Sequence, residues 1–217
     1  MFGVNIGSQI LARIAIFLPA FLLAIAFHEF AHALVANWLG DDTAKKIGRL
    51  SLNPFKHLDF FGTFFLLIFG IGWARPVPFN PKNFKKPRLY SVFVALAGPL
   101  ANLIIAYITL YFVVYFPNNL FSPSVQISLL QILNAIVYIN VMLGVFNLLP
   151  LPPLDGSHLL FAILPANWQK VYWAIQRYAI LILILLFYAP PTRKVFINTI
   201  VFVLDLLKSM VIKFTFV

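Results

Sequence analysis

Two histidines and one glutamate lie close together in the first apolar run of the chain, in a pattern that can bind a metal ion. The run contains the heptapeptide Ala26-Phe27-His28-Glu29-Phe30-Ala31-His32. Histidines at positions i and i+4 project from one face of an α-helix, about one turn apart, so both imidazoles can bind the same ion. Glu29 lies beside them and is a candidate general base. This spacing is typical of zinc hydrolases that cleave peptide bonds.

Glu29 is the only glutamate in the sequence, and it lies in an apolar run long enough to cross a membrane. The alternative to a metal site is a packing cluster, in which the two histidines share hydrogen bonds with the glutamate. Burying an ionisable group in a bilayer is costly, so such a residue is a functional candidate by default. We therefore favour the metal site with Glu29 as its catalytic residue.

A catalytic zinc site needs a third ligand, because such sites use three protein side chains and keep one position open. The chain has no cysteine, so the ligand must offer nitrogen or oxygen. Asp41 and Asp42 lie too far along the same helix to turn back easily, and Asp205 is interpreted as a lone buried polar group. Asp155 follows three closely spaced prolines, which hold the chain extended. A ligand and a plain turn residue are equally supported at Asp155, since Pro-Pro-x-Asp-Gly also favours a turn.

The elements that must position these residues are membrane helices. Of the 217 residues, 62% are hydrophobic and 10% are charged, against about 25% charged residues in soluble domains. Several apolar runs reach the roughly 20 residues that a spanning helix needs. The net charge of +10 does not indicate nucleic-acid binding, because the basic residues lie in short segments between apolar runs. We predict an all-α polytopic membrane protein in a lipid bilayer, with no nucleic-acid partner.

The apolar runs also predict where the membrane segments lie. Long runs cover residues 14–39, 90–116, 129–149, 171–189 and 195–217. The run 60–73 is short for a spanning helix and contains three glycines, so we predict a re-entrant hairpin between the first two full spans. A strand edge on this hairpin is a candidate clamp for an extended substrate. The sequence predicts about five to six membrane segments in one integral membrane domain, 1–217, with a catalytic core at about 10–165.

The basic residues predict the orientation of these segments. Nine of them flank the run 60–73: Lys45, Lys46, Arg49, Lys56, Arg75, Lys82, Lys85, Lys86 and Arg88. The loop 117–128 has no lysine or arginine. Because lysine and arginine concentrate in cytoplasmic loops, the two basic segments are expected in the cytoplasm. We predict a multi-pass protein of the cell membrane whose site opens to the cytoplasmic side.

Several motifs together resemble the site-2 protease family of intramembrane metalloproteases. The first two are His28-Glu29-x-x-His32 and Asn147-x-x-Pro150-x-Pro152-x-x-Asp155-Gly156. Three others resemble the compact branch that lacks a PDZ domain: Gly48-Arg49-Leu50-x-Leu52-Asn53-Pro54-x-x-His57-x-Asp59, Trp73-Ala74-x-Pro76-Val77-Pro78 and Ala97-Gly98-Pro99-x-Ala101-Asn102. The similarity covers roughly residues 20–165. One departure is Phe60, where this branch commonly has proline.

The resemblance implies a zinc endopeptidase that cleaves membrane-spanning protein substrates. It implies that His28, His32 and Asp155 bind one Zn²⁺ per chain. It also implies that Asn147 lies near the scissile carbonyl, as an oxyanion or substrate contact. His57 and His158 are interpreted as structural histidines rather than as ligands.

The main alternative is a catalytically silent membrane protein that binds a metal or a partner helix, such as a metal transporter. A transporter is expected to show repeated halves and further intramembrane carboxylates or histidines along a path. The sequence shows neither feature. A silent scaffold would be expected to lack Glu29 or Asp155, and both are present.

Overall fold

A computed structural model describes residues 6–69, 73–117, 121–165 and 169–214 of the chain. Helices dominate these ranges: α1 Ile6–Trp38, α2 Thr43–Lys46, α3 Phe60–Phe69, α4 Pro87–Val114, α5 Pro123–Asn147, α6 Gly156–Ile163, α7 Gln169–Tyr188 and α8 Pro190–Phe214. Short 3-10 turns occur at Pro54–Lys56 and Pro81–Asn83. The all-α architecture predicted from the sequence is confirmed.

Four of the described helices are long and apolar enough to cross a membrane. These candidate spans are Ile14–Trp38, Pro87–Val114, Pro123–Asn147 and Pro190–Lys213. They lie in α1, α4, α5 and α8, so the polytopic membrane fold is also confirmed. The total of five to six membrane segments stays a prediction.

The centre of the bundle is built from small and β-branched residues at helix contacts. Ala20 and Ala24 of α1 pack against Ala135 and Ile139 of α5. A second cluster joins three helices through Ala106, Leu110, Val137, Val141, Val145, Ile200, Leu207 and Val211. Small side chains let membrane helices approach closely. The helices α1, α4 and α5 therefore form the inner group, and α8 packs on α4 and α5.

The interpretation of Asp205 as a lone buried polar group is wrong, because its side chain on α8 is exposed. The apolar residues that anchor α8 lie on the other side of the helix. A charged residue within this span thus faces away from the bundle.

The run 60–73 departs in part from the predicted hairpin. Its described portion, Phe60–Phe69, is a helix, and residues 70–72 lie outside the described ranges. The side chain of Asp59 caps this helix by accepting a hydrogen bond from Gly62 N at 2.8 Å. The predicted strand-edge clamp is therefore wrong for Phe60–Phe69, because the helix satisfies its own backbone groups.

The two ends of this run nevertheless meet. Leu58 and Ala74 form an isolated antiparallel bridge, and Arg75 N donates to His57 O at 2.8 Å. A Cβ on Gly62 would lie 2.9 Å from the carbonyl carbon of Trp73, so only glycine lets α3 pack this closely on the returning chain. The chain leaves and returns at one place, as a re-entrant segment would.

The end of α1 is fixed by Asp41. Its carboxylate accepts hydrogen bonds from Thr43, from Asn80 N at 2.6 Å and from Asn83 Nδ2 at 2.6 Å. Burial raises the pKa of this carboxyl, but the hydrogen bonds lower it further, so its pKa lies below the ordinary value. Asp41 thereby ties α1 to the basic segment that precedes α4.

Candidate active site

The predicted site residues of α1 are buried where this helix crosses α4. His28, Glu29 and His32 retain 7%, 7% and 8% of their accessible surface. The i and i+4 spacing places both imidazoles on the same side of α1, with ring centroids 4.6 Å apart. The structure thus places these two histidines side by side within a candidate membrane span.

Asp155 completes a trio of ligand atoms with the two histidines. Its Oδ2 lies 3.1 Å from His28 Nε2 and 3.3 Å from His32 Nε2, and the two Nε2 atoms are 3.0 Å apart. These three residues are the one cluster of metal-binding side chains found in the described part of the chain. The turn residue and the ligand were equally supported at Asp155 by its local sequence, and the geometry favours the ligand.

The second nitrogen of each imidazole identifies its tautomer. His28 Nδ1 lies 2.6 Å from Asn102 Oδ1, and His32 Nδ1 lies 2.7 Å from Val94 O. Both partners are oxygen acceptors, so both Nδ1 atoms must carry the proton. Each neutral imidazole then presents the lone pair of Nε2 to the other imidazole and to the carboxylate.

When both imidazoles are neutral, three acceptor atoms therefore converge with no hydrogen between them. Asp155 Oδ2 is buried and makes no hydrogen bond to any described residue. Such an arrangement is repulsive unless a cation lies among the lone pairs. Two imidazole nitrogens and one carboxylate oxygen are a ligand set that zinc uses in catalytic sites. The donor chemistry of the trio fits a zinc ion.

A chain of amides fixes the orientation of His28. Asn102 Nδ2 donates to Ala24 O at 3.0 Å and to Asn140 Oδ1 at 2.8 Å, and Asn140 Nδ2 donates to Ile136 O at 2.9 Å. Each amide nitrogen thus faces oxygen acceptors, so Asn102 must point its own oxygen at His28. Both asparagines are fully buried. Partners of this kind orient metal-binding histidines and raise their basicity.

Sequence reasoning missed this role of Asn102 and Asn140. A signal was present, because Asn102 belongs to one of the motifs that carry the family resemblance. Its partner could not be identified from that motif, since the pairing depends on how α4 is rotated against α1.

The loop before α6 presents Asp155 to the two histidines. It turns through bonds from Leu151 N to Leu149 O at 2.8 Å and from Leu154 N to Leu151 O at 2.9 Å. Burial raises the pKa of the Asp155 carboxyl, but the two histidines in their protonated form lower it further, so its pKa lies well below its usual range. The carboxylate is thus ionised and available as a ligand.

Gly98 of α4 keeps space open beside the trio. A Cβ at this position would lie 2.7 Å from His28 Nε2 and within 3.0 Å of His32 Nε2. Real Cβ atoms essentially never come so close. The glycine therefore permits α4 to pack directly over the ligand atoms of α1.

Glu29 lies outside the trio and contacts an extended segment of the chain. Its Oε2 accepts a hydrogen bond from Val77 N at 2.8 Å. Arg49, which is 7% exposed, donates to Arg75 O at 3.0 Å and to Pro76 O at 3.1 Å. The segment 75–77 is thus held between a buried guanidinium and the carboxylate of Glu29.

The other predicted and rejected candidates contribute no ligand atom to the trio. Asn147 is the last residue of α5, half-buried, and its Nδ2 donates to Leu143 O at 3.1 Å. His57 is buried in the loop after α2, with Nε2 2.7 Å from Ser51 O. His158 of α6 packs beside Phe79, and burial lowers its pKa. Neither histidine joins the trio of ligand atoms.

Fold and site together define an integral membrane protein with a candidate metal site between its helices. The comparisons identify the class further. The model of peptidase family M50 matches residues 16–122 and 118–189, and the chain belongs to this family. The predicted relationship to the site-2 proteases is thereby confirmed. Zinc is the cofactor that this family implies, in agreement with the sequence-based prediction.

Curated relatives cover most of the chain. It is 43% identical over 173 residues to "Putative zinc metalloprotease YwhC" of Bacillus subtilis. These aligned residues cover 78% of this chain and 78% of the relative. It is 29% identical over 193 residues to "Putative zinc metalloprotease Rip2" of Mycolicibacterium smegmatis, covering 87% of this chain and 72% of the relative. It is 29% identical over 150 residues to "Putative zinc metalloprotease MJ0611" of Methanocaldococcus jannaschii, covering 69% of this chain and 68% of the relative. No solved structure matches the chain.

Proposed function

We propose that the chain is an intramembrane zinc endopeptidase that hydrolyses peptide bonds in membrane-spanning proteins. The observation that carries this proposal is the convergence of three buried ligand atoms beside an ionisable glutamate, within a membrane span. Membership of a peptidase family adds the reaction class. The buried position adds the substrate class, because a soluble protein has no access to that depth.

His28, His32 and Asp155 would hold the zinc ion in this proposal. When bound, zinc supplies a Lewis acid that polarises the peptide carbonyl and makes water a better nucleophile at neutral pH. The amide chain through Asn102 keeps the lone pair of His28 directed at the trio. These residues therefore bind the zinc ion and orient its ligands, and another group must carry out the proton transfers.

Glu29 is the proposed general base. It follows His28 directly in α1, and its carboxylate can take the proton of the attacking water and return it to the leaving amine. The hydrogen bond from Val77 N holds one carboxylate oxygen, which leaves the other to carry the proton. Asn147 would contact the scissile carbonyl, for which its amide must leave Leu143 O.

Access to the site is proposed from the side of the loop that carries Asp155. The Asp155 side chain is 20% exposed, whereas those of His28 and His32 are 9% and 10% exposed. His28 lies about 15 Å from the Trp38 end of α1 at 1.5 Å per residue. That end joins the basic segments, which the positive-inside rule assigns to the cytoplasm. We propose that the chain is a cell-membrane protein whose active site opens to the cytoplasm. It would form one membrane domain, with its catalytic core at about 10–165.

The test is a paired assay on purified protein in liposomes. Bound zinc is measured per chain, and cleavage of a single-span model substrate is followed. Glu29→Gln is expected to keep zinc and lose activity by at least about 100-fold, because it removes the general base. Asp155→Ala is expected to lose both zinc and activity. Asp42→Asn removes an exposed carboxylate that pairs with Lys46 and serves as the matched control.

Three outcomes would overturn the proposal. If Glu29→Gln cleaves the substrate at the wild-type rate, Glu29 is not the general base. If the purified wild type contains no zinc, zinc is not the cofactor. If zinc is bound by the wild type but no cleavage occurs, the metal-binding alternative replaces the protease.

A further inference from the structure

Helix α8 has two chemically different sides. One side is anchored in the bundle through Ile200, Leu207 and Val211, which are at most 8% exposed. The opposite side carries the exposed polar residues Asn198, Asp205 and Lys208. At 100° per residue, positions 198 and 205 lie on the same line of the helix surface and 208 lies next to it. We call this line, Asn198-Asp205-Lys208, the polar stripe of α8.

Asp205 is poorly placed for contact with lipid. It lies about 12 Å along the helix from Lys213, where the candidate span ends. No ion pair or hydrogen bond joins it to another residue in the described ranges. An aspartate has a short side chain and cannot extend to the membrane surface as lysine does. Ionisable residues within spans almost always have a partner, and the described residues of one chain do not supply one for Asp205.

We propose that the polar stripe is the contact surface between two copies of this chain in the membrane. Asp205 and Lys208 are separated by three residues, so they share one face and differ in height by about 4.5 Å. In a two-fold pair of parallel α8 helices, Asp205 of each copy faces Lys208 of the other. The stripe is thus complementary to itself, which is the property that a two-fold interface requires.

Other occupants fit the stripe less well. The hydrocarbon of a lipid supplies no positive charge at the depth of Asp205. A substrate helix would be expected near the trio on α1, whereas the stripe points away from the bundle core to which α8 is anchored. α8 also follows the residues that the family model matches, 16–189. The contact therefore stands independently of the proposed catalytic function.

The absence of cysteine from the sequence makes the contact directly testable. Ile212 is 48% exposed and lies on the same face as Asp205, about two turns away. Purified Ile212→Cys protein in liposomes is expected to form a disulfide-linked dimer on mild oxidation. Ile104→Cys on α4, which is 57% exposed, reports random collision and is expected to remain largely monomeric.

Charge exchange then identifies the ion pairs. In the Ile212→Cys background, Asp205→Lys alone or Lys208→Asp alone is expected to lower the cross-linked fraction by about tenfold, through like-charge repulsion. Reconstituting the two variants together restores opposite charges across the contact and is expected to restore cross-linking between them. Unchanged zinc content in each variant shows that the bundle is intact.

The proposal is wrong if Ile212→Cys cross-links no more than Ile104→Cys. It is also wrong if the single charge variants cross-link like the parent, or if their mixture does not recover. Each of these results would assign the polar stripe to something other than a second copy of the chain.

Discussion

Replacement of Gly98 by alanine tests the metal site with a single methyl group. The added Cβ would lie 2.7 Å from His28 Nε2, whereas ordinary contacts are 3.4–4 Å. Either α4 or the imidazoles must therefore move by about 1 Å. Overpacking of this kind costs about 1–3 kcal/mol, and alanine returns about 1 kcal/mol of helix propensity relative to glycine. The net loss of stability is thus about 2 kcal/mol at most.

The effect on metal binding is expected to be far larger. The methyl group lies against both Nε2 atoms, where zinc–nitrogen distances must be about 2.0–2.1 Å. We expect the purified variant to hold less than about one tenth of the wild-type zinc. Its unfolding temperature is expected to fall by less than about 8 °C, because 1 kcal/mol corresponds to about 2–4 °C in a chain of this size. Elemental analysis and thermal unfolding in detergent measure the two quantities.

Gly144→Ala is the matched control. Its Cβ would enter the α4–α5 contact, 3.2 Å from Leu103 Cδ2 and from Pro99 O, but these neighbours need to shift by only a few tenths of an ångström. This variant is expected to keep its zinc. The reasoning is refuted if Gly98→Ala binds zinc as the wild type does. It is equally refuted if Gly144→Ala loses zinc to the same extent, since the loss would then reflect helix packing in general.

Two further predictions address residues that hold the site and the helix ends. Asn102→Ala is expected to weaken zinc affinity by about 10–100-fold, because His28 loses its orienting partner. A competitive chelator titration measures this affinity. The control is Asn134→Ala, whose amide donates to Leu130 O of its own helix and whose zinc affinity is expected to stay unchanged. Asp41→Asn is expected to lower stability by about 2 kcal/mol at neutral pH through its lost charge-assisted bonds, against less than about 1 kcal/mol for Asp42→Asn. Because the folded pKa of Asp41 lies below the ordinary value of 3.8, its stabilisation is complete above that value and is lost as the pH falls through the folded pKa. Thermal unfolding from pH 7 to pH 3 should therefore show the wild type and Asp41→Asn converging only at the acid end, and a constant difference would contradict this.

Apolar runs located the membrane helices but not their full lengths. The runs 90–116 and 129–149 correspond to α4 Pro87–Val114 and α5 Pro123–Asn147. Both helices begin earlier than predicted, at a proline in the first helical position, where its fixed φ suits a helix start. Hydropathy detects the part of a helix that lies in lipid, and it misses a polar first turn.

The run 60–73 shows how a local choice was misjudged. Its glycines favoured a hairpin, yet the described part is a helix. The stronger signal was Asp59, a capping residue directly before an unbroken apolar stretch. Gly62 serves a tertiary contact with Trp73, which no sequence pattern could reveal.

The parts of the site that lie within one helix were predictable from the sequence. The parts that depend on how two helices are rotated against each other were not. The spacing of His28 and His32 requires only an α-helix, so one turn of sequence was enough. Asp155 had two equal interpretations until the family motif was considered, because its distance from the histidines is set by the whole bundle. The partners of the imidazoles on α4 were not predicted at all.

Those partners follow a rule that becomes visible only when the two helices are aligned. Val94, Gly98 and Asn102 are spaced by four residues along α4, as His28 and His32 are along α1. Val94 O accepts a hydrogen bond from His32 Nδ1 and Asn102 Oδ1 accepts one from His28 Nδ1, so the two helices run antiparallel. Gly98 lies between these two partners and leaves space beside the Nε2 atoms. A shift of α4 by one residue would rotate all three by 100°. Metal binding and helix register are thus one constraint, and the ligand geometry is fixed by the packing that holds the bundle together.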